Sequence, residues 1–281
     1  MKWKIVTDSG SDIRHIDNLN EDVSFEVVPL MINIANEIYI DDENIDLEAL
    51  LTASETEKKA SSSACPAPNA YASTFEGAEN VICFTLSSNL SGSYNSASLG
   101  REILLESHPE ANVFIFDTFT AGSEMNLLVR KAVELANQGL EFNALVEQVK
   151  AYHEKTNVNF VLESVDNLVK NGRVSKIVGQ MIGLLDIRLI GKRSDDGLIE
   201  LAHKSRGLKR ALNTLLQAMK DNNYQGGKVE ISYNTSIDVA HTLVDKIKSE
   251  FPSANINLIK MSGLCTYYAQ RNGMIVGFEH A

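Results

Sequence analysis

The first half of the chain alternates short apolar segments with longer amphipathic ones, and this alternation constrains its fold most strongly. Residues 3–7, 81–86 and 113–116 have the pattern of buried strands, and helical patterns follow the last two. Residues 25–33 look like a further extended piece, and Asp46 precedes leucines at helical spacing, which predicts a helix N-cap. Strand, turn and helix units of this length favour a parallel sheet with helices on both faces. We therefore predict an α/β fold with three layers in this half.

The second half shows a different pattern. Residues 186–190 and 198–204 flank a turn at 194–197, and this arrangement predicts a β-hairpin. Further helices and strands then alternate, with helices expected at 208–220 and 237–250 and strands at 229–233 and 256–260. A hairpin followed by this alternation indicates a mixed sheet in a two-layer α/β arrangement.

The length of the chain fits two domains. The chain has 281 residues, and an average domain takes roughly 150. Because the pattern changes near residue 157, we predict a parallel α/β domain at 1–157 and a mixed α/β domain at 158–281.

The composition argues against several classes of protein. The chain has 26 lysines and arginines against 37 aspartates and glutamates, a net charge of −11, which disfavours a nucleic-acid partner. Its 3 cysteines form no CxxC pair, so a disulfide framework or a tetrathiolate zinc site is not expected. The N-terminal apolar run turns polar at once, unlike a signal peptide, and no stretch approaches the ~18 apolar residues of a membrane span. We therefore expect a cytoplasmic protein.

Three of the predicted strands end in turns that are rich in glycine and small hydroxyl residues, at 7–12, 87–93 and 117–123. Ligands of open parallel sheets bind outside the carboxyl ends of the strands, where these turns fall. Ser91, Gly92 and Ser93 form the best anion cradle, because hydroxyls and a helix N-terminus can meet an oxyanion there. The alternative is that these residues only make turns and cap helices. The residues alone leave both interpretations open.

A metal site is a second hypothesis for the same edge of the sheet. Asp8, Asp12 and Asp117 are oxygen ligands suited to Mg²⁺, which would suggest a metal-dependent hydrolase or phosphotransferase. Carboxylates directly after strands are more often turn or cap residues. No GxSxG, GxxxxGK[ST] or HExxH motif is present, so the commoner hydrolase, ATPase and zinc-protease classes are disfavoured.

One segment of the second half, residues 174–190, is notably apolar. Gly179 and Gly183 are four residues apart, which on a helix leaves a groove on one face. Such a groove either allows a neighbouring helix to pack closely or forms the wall of a channel for a thin apolar ligand. Arg173, just before this segment, is either a guanidinium beside an anion or a solvated cation at a helix end.

Taken in order along the chain, several short pieces resemble the DegV family of bacterial fatty-acid-binding proteins, which includes the acyl-carrying subunit of fatty acid kinase. Each piece is unspecific alone, but the ordered set spans nearly the whole chain. The pieces are Thr7-Asp8-Ser9, Val28-Pro29-Leu30, Ser63 through Pro68, Leu86 through Tyr94, Asp117 with Gly122, Asn171-Gly172-Arg173-Val174-Ser175, and Arg206 with its basic neighbours.

The resemblance implies a protein that binds a long-chain fatty acid between two domains and performs no catalysis itself. It implies that the carboxylate is held by Ser63, where the family usually has threonine, and by Ser91, with Gly92 and Ser93 supplying neighbouring contacts. A separate fatty acid kinase is the implied partner, and transient membrane contact is compatible with the role. No metal or other cofactor is implied.

The chain departs from the family pattern at two positions. Ala269 and Tyr233 stand where the family usually has histidine. Both departures concern the expected surroundings of the carboxylate and the expected partnership with a kinase.

Overall fold

We describe the protein from a computed structural model that defines residues 2–57, 61–174 and 186–281. The strands are β1 Trp3–Asp8, β2 Val23–Val28, β3 Met31–Ile34, β4 Glu37–Ile40, β5 Ser61–Ala64, β6 Asn80–Thr85, β7 Asn112–Asp117, β8 Thr156–Leu162, β9 Ile187–Arg193, β10 Ile199–Arg206, β11 Lys228–Tyr233, β12 Asn255–Lys260 and β13 Met274–Glu279. The helices in the described ranges are α1 Leu47–Thr56, α2 Pro68–Phe75, α3 Ser93–Ser107, α4 Ser123–Asn137, α5 Phe142–His153, α6 Asp166–Lys170, α7 Leu208–Asp221, α8 Ile237–Glu250 and α9 Gly263–Ala269.

Four strands form a fully parallel sheet in the order β2-β1-β6-β7. Successive residues of a strand point to opposite faces, so Ile5 packs against α4 and α5 while Val6 packs against α2 and α3. The helices therefore cover both faces, and the prediction of a three-layer parallel unit is confirmed. The carboxyl ends of β1, β6 and β7 lie at one edge, so the three polar turns follow neighbouring strands.

A second sheet has six strands in the order β10-β9-β8-β13-β11-β12, and only the β11–β12 pair is parallel. Helices α7 and α8 cover one face, where Val161 joins their leucines. Phe160 and Leu162 point to the opposite face, toward α6 and α9. The β9–β10 pair is the predicted hairpin around 194–197, and the mixed α/β arrangement of this half is confirmed.

Residues 25–33, predicted as one extended piece, form two strands in different sheets. Pro29 lies between them and has no N–H to offer a ladder, which separates β2 from β3. Whereas β2 joins the parallel sheet, β3 pairs antiparallel with β4 on one side and β5 on the other. This small third sheet was not predicted, and it holds the serine-rich strand β5.

The start of α4 connects the two larger sheets. Ser123 Oγ lies 2.7 Å from the carbonyl oxygen of Ile275 and accepts a hydrogen bond from the Ser232 N–H at 3.1 Å. A Cβ atom on Gly277 would lie 2.6 Å from the Glu124 nitrogen. Glycine at 277 therefore allows the helix to approach the strand backbone directly.

The beginning of the chain also holds the last helix in place. Asp41 accepts hydrogen bonds from the N–H groups of Gly263 and Leu264 at 2.7 and 2.8 Å, and Arg14 pairs with the same carboxylate. Because these N–H groups are the unpaired ones of an α-helix N-terminus, Asp41 fixes where α9 begins.

Most of the apolar segment at 174–190, with Gly179 and Gly183, lies outside the described residues. Within the described ranges, no helix combines the length and the hydropathy needed to cross a lipid bilayer.

Candidate functional site

An apolar cavity lies between the face of the six-stranded sheet that points away from α7 and α8 and the turns that follow the parallel strands. Its volume is about 120 Å³. Strand β8 contributes Val158, Phe160 and Leu162, alternate residues that share one face of the sheet. From the other half, Leu86 and Ala121 line the same space, directly after β6 and just before α4. The two halves thus build the wall together.

Several polar side chains also line this cavity, and the hydroxyl of Ser63 is the first of them. Strand β5 carries Ser63, and its Oγ lies 2.8 Å from the phenolic oxygen of Tyr268 on α9. Both side chains are only partly buried. The strand before Pro66 thus meets the last helix at the cavity wall.

Ser91 lines the same cavity from the turn before α3. Its Oγ accepts a hydrogen bond from the Ser93 N–H at 3.2 Å and lies 3.1 Å from the Ser93 Oγ. A Cβ atom on Gly92 would lie 3.2 Å from Cys65 Sγ, so this turn abuts the segment that carries Ser63. The structure therefore brings the two predicted serine segments together.

The remaining predicted residues fall into two groups. Arg173 lines the cavity, whereas Gly92 and Ser93 stand behind Ser91, Gly92 as the residue before α3 and Ser93 fully buried in its first turn. Their place is behind the wall, where they shape the turn.

Two guanidinium groups line the cavity, and their surroundings differ. Arg193 forms a double hydrogen bond to the fully buried carboxylate of Glu124, at 2.8 and 3.1 Å. Arg173 donates to the carbonyl oxygen of Asn171 at 2.9 Å, and within the described ranges no carboxylate pairs with it. Arg193 is thus already neutralised, whereas Arg173 has no carboxylate partner among the described residues.

The phenol of Tyr268 was not predicted as part of the site. Burial raises its pKa above the usual value, while the hydrogen bond to Ser63 and the charge of Arg173 act in the opposite direction. The group therefore stays protonated at neutral pH. The sequence pointed only to the neighbouring Ala269, because the partners of Tyr268 lie more than 90 residues away along the chain.

The tip of the β9–β10 hairpin contacts the turns that follow β6 and β7 in the first half of the chain. Asn89 Nδ2 donates to the carbonyl oxygen of Asp196 at 2.8 Å. Gly197 has φ +72°, and a Cβ atom there would lie 2.5 Å from Ser87 Oγ and 2.6 Å from the Phe119 carbonyl oxygen. Glycine is thus needed both for the backbone angle and for the contact.

Asp8, Asp12 and Asp117, the carboxylates of the metal hypothesis, hold backbone amides. Asp8 accepts from Gly10 and Leu86, both at 2.9 Å, and burial raises its pKa to about 7. Asp12 and Asp117 accept from backbone N–H groups of neighbouring loops at 2.8 and 3.1 Å. Over the part of the chain that the structure defines, no three His, Cys, Asp or Glu side chains converge as a metal site.

The two positions that depart from the family pattern lie in different environments. Ala269 lines the cavity beside Tyr268. Tyr233 packs among the residues on the helix-covered face of the six-stranded sheet. Only the first departure therefore affects the cavity wall.

The fold and the site define a class: α/β proteins with two large sheets, an apolar cavity between the two halves and hydroxyl groups in the cavity wall. A family model described as an uncharacterised protein of the DegV family matches residues 2–279. The chain belongs to the DegV family, as the resemblance implied.

Relatives and solved structures agree with this assignment. The chain is 44% identical over 279 residues to a DegV domain-containing protein of Streptococcus pyogenes serotype M3, covering 99% of this chain and 100% of that one. A crystal structure of the Streptococcus pneumoniae fatty acid kinase (Fak) B3 protein loaded with linoleic acid is 40% identical, covers 100% of both chains and has a TM-score of 0.97. A DegV family protein from Eubacterium eligens loaded with heptadecanoic acid is 33% identical, with 99% of this chain and 100% of that one covered and a TM-score of 0.95.

Proposed function

We propose that this protein binds a long-chain fatty acid in the cavity between its two halves and acts as its carrier. The observation that carries the proposal is that apolar walls and hydroxyl groups line one and the same cavity. The fatty acids bound by the similar S. pneumoniae and E. eligens proteins support it.

The acyl chain would supply most of the binding free energy. Burying about fourteen methylenes at roughly 0.8 kcal/mol each contributes at most ~11 kcal/mol. The loss of translational and conformational freedom on binding offsets a large share of this. The tail therefore provides affinity for an insoluble chain, and the wall at Val158, Phe160 and Leu162 suits it.

The carboxylate would fix the position of the ligand. A buried carboxylate without partners costs several kcal/mol, so it needs donors. We assign this role to the hydroxyls of Ser63 and Ser91, with Arg173 as the countercharge and with Gly92 and Ser93 holding the turn that presents Ser91. Hydrogen bonds to a charged acceptor are roughly twice as strong as neutral ones.

We infer further that the protein performs no chemistry on its ligand and presents the carboxyl group to a partner kinase. The similar S. pneumoniae protein, a fatty acid kinase (Fak) B3 protein, supports the link to a fatty acid kinase. We also propose that the protein is cytoplasmic and that its two domains meet near residue 157.

Mass spectrometry of the denatured protein tests the proposed function. We expect a C14–C18 fatty acid to be released in near-stoichiometric amount, and the delipidated protein to rebind oleic acid. A delipidated, folded protein that rebinds no acid of this length range would refute the proposal.

Replacing Ser91 by alanine is expected to weaken oleic acid binding roughly 10- to 100-fold, the effect of one hydrogen bond to a charged group. The fold should persist, because a partly exposed turn hydroxyl is lost and no core volume changes. Titration of delipidated protein with oleic acid measures the effect. Ser88→Ala, in the same turn but away from the cavity wall, is the matched control, and equal affinity of S91A and wild type would place the head group elsewhere.

A further inference from the structure

Two consecutive tyrosines of α9 hold two serines of strand β5. The Tyr267 hydroxyl donates to Ser61 Oγ at 2.7 Å, and the Tyr268 hydroxyl lies 2.8 Å from Ser63 Oγ. Ser61 and Ser63 are two residues apart on a strand and so share one face of the small sheet. The two pairs are therefore alike in chemistry and adjacent in space.

The two pairs differ in their position relative to the cavity. Tyr267 is fully buried, and its hydroxyl also accepts from Asn171 Nδ2 at 3.0 Å. Tyr268 and Ser63 both line the cavity. The first pair thus lies away from the cavity wall and receives a further hydrogen bond from Asn171, whereas the second pair faces the space in which a ligand would lie.

The number of protons on the two hydroxyls determines how many hydrogen bonds the Tyr268–Ser63 pair can donate to a ligand. Each hydroxyl has one proton, and a hydrogen bond between the two oxygens uses one of them. Either oxygen of this pair can be the donor. Because a phenol is a stronger acid than an aliphatic alcohol and so the better donor, we assign the donor role to Tyr268. The Ser63 proton is then left to point into the cavity.

The surroundings keep the phenol protonated. Burial raises the pKa of Tyr268 and outweighs the Ser63 hydrogen bond and the charge of Arg173, which lower it; Tyr267 is the other titratable group that acts on it. A carboxylate accepting from Ser63 would complete a chain of two hydrogen bonds, and such chains strengthen each member.

We propose that Tyr268 is a positioning residue for the ligand carboxylate, holding the Ser63 hydroxyl so that its proton points at the bound head group. This inference rests on the proposed function and adds a residue to it. Because Tyr268 acts through Ser63, its effect depends on an acidic head group and on the presence of the serine hydroxyl.

The test compares Tyr268→Phe with wild type in binding of oleic acid and of methyl oleate to delipidated protein. We expect Y268F to bind oleic acid about 10-fold more weakly, the loss of one hydrogen bond, and methyl oleate within about twofold of wild type. In a Ser63→Ala background, adding Y268F should change oleic acid affinity by less than twofold, because the intermediary is gone.

Tyr267→Phe is the matched control, since it removes the same hydrogen bond from a pair that does not line the cavity. We expect Y267F to lower the melting temperature while its oleic acid affinity stays within twofold. Unchanged oleic acid affinity in Y268F, an equal loss in Y267F, or a full additional loss in the S63A background would each overturn the inference. Absence of oleic acid binding to wild type would instead refute the proposed function itself.

Discussion

Tryptophan in place of Ala121 is expected to lower oleic acid affinity more than about 100-fold. Ala121 lines the cavity just before α4, and an indole there would occupy space that the acyl chain needs. Excluding only four methylenes would remove roughly 3 kcal/mol of binding free energy, enough for this loss. Titration of delipidated A121W with oleic acid measures the effect, and circular dichroism shows whether the fold is retained.

Ala202→Trp is the matched control for this substitution. Ala202 is exposed on β10 and is absent from the cavity wall, so the same change in size should leave oleic acid affinity within about twofold. If A121W retained wild-type affinity with an intact fold, the acyl chain would have to lie outside this cavity.

Replacing Glu124 by alanine is expected to lower the free energy of unfolding by about 3–5 kcal/mol. The carboxylate is fully buried, pairs with Arg193 at 2.8 Å and accepts from Thr156 Oγ1 at 2.9 Å. Its removal leaves the guanidinium of Arg193 largely buried without a countercharge. Because α4 belongs to the first half and Arg193 to the hairpin of the second, the pair fixes the hairpin against α4. Urea denaturation measures the change.

Glu134→Ala on the same helix is the matched control. Glu134 is 42% exposed and pairs with Lys131 at 2.8 Å, and such surface pairs contribute at most about 1 kcal/mol. The two substitutions remove the same side chain from one helix and differ mainly in burial. Equal losses of stability would show that the buried pair contributes no more than a surface one.

The sequence by itself determined the elements whose causes are local. Asp46 was predicted as an N-cap, and its side chain accepts from the N–H groups of Glu48 and Ala49. The hairpin around 194–197 and the helix at 237–250 also follow the predictions. These features depend on hydrophobic periodicity and on turn residues a few positions apart, which a sequence displays directly.

The sequence also marked the candidate serines, but for a different reason. The turn chemistry marked Ser91 as part of an anion cradle but left a second interpretation open, and the family resemblance assigned Ser63 and Ser91 to the carboxylate. Their role at a carboxylate, the domain boundary at 157 and the cytoplasmic location stay predictions. The family and the α/β fold class are confirmed by the comparisons and by the sheets.

Only the tertiary structure decided which side chains meet at the cavity. It pairs Ser63 with Tyr268, neutralises Arg193 with Glu124, and uses Asp8 to hold the backbone amide of Leu86. The physical reason is that such contacts join segments that are 69 to 205 residues apart. Hydrogen bonds and ion pairs act over a few ångströms, so their partners are set by how the sheets and helices pack, and local sequence patterns carry no record of that packing.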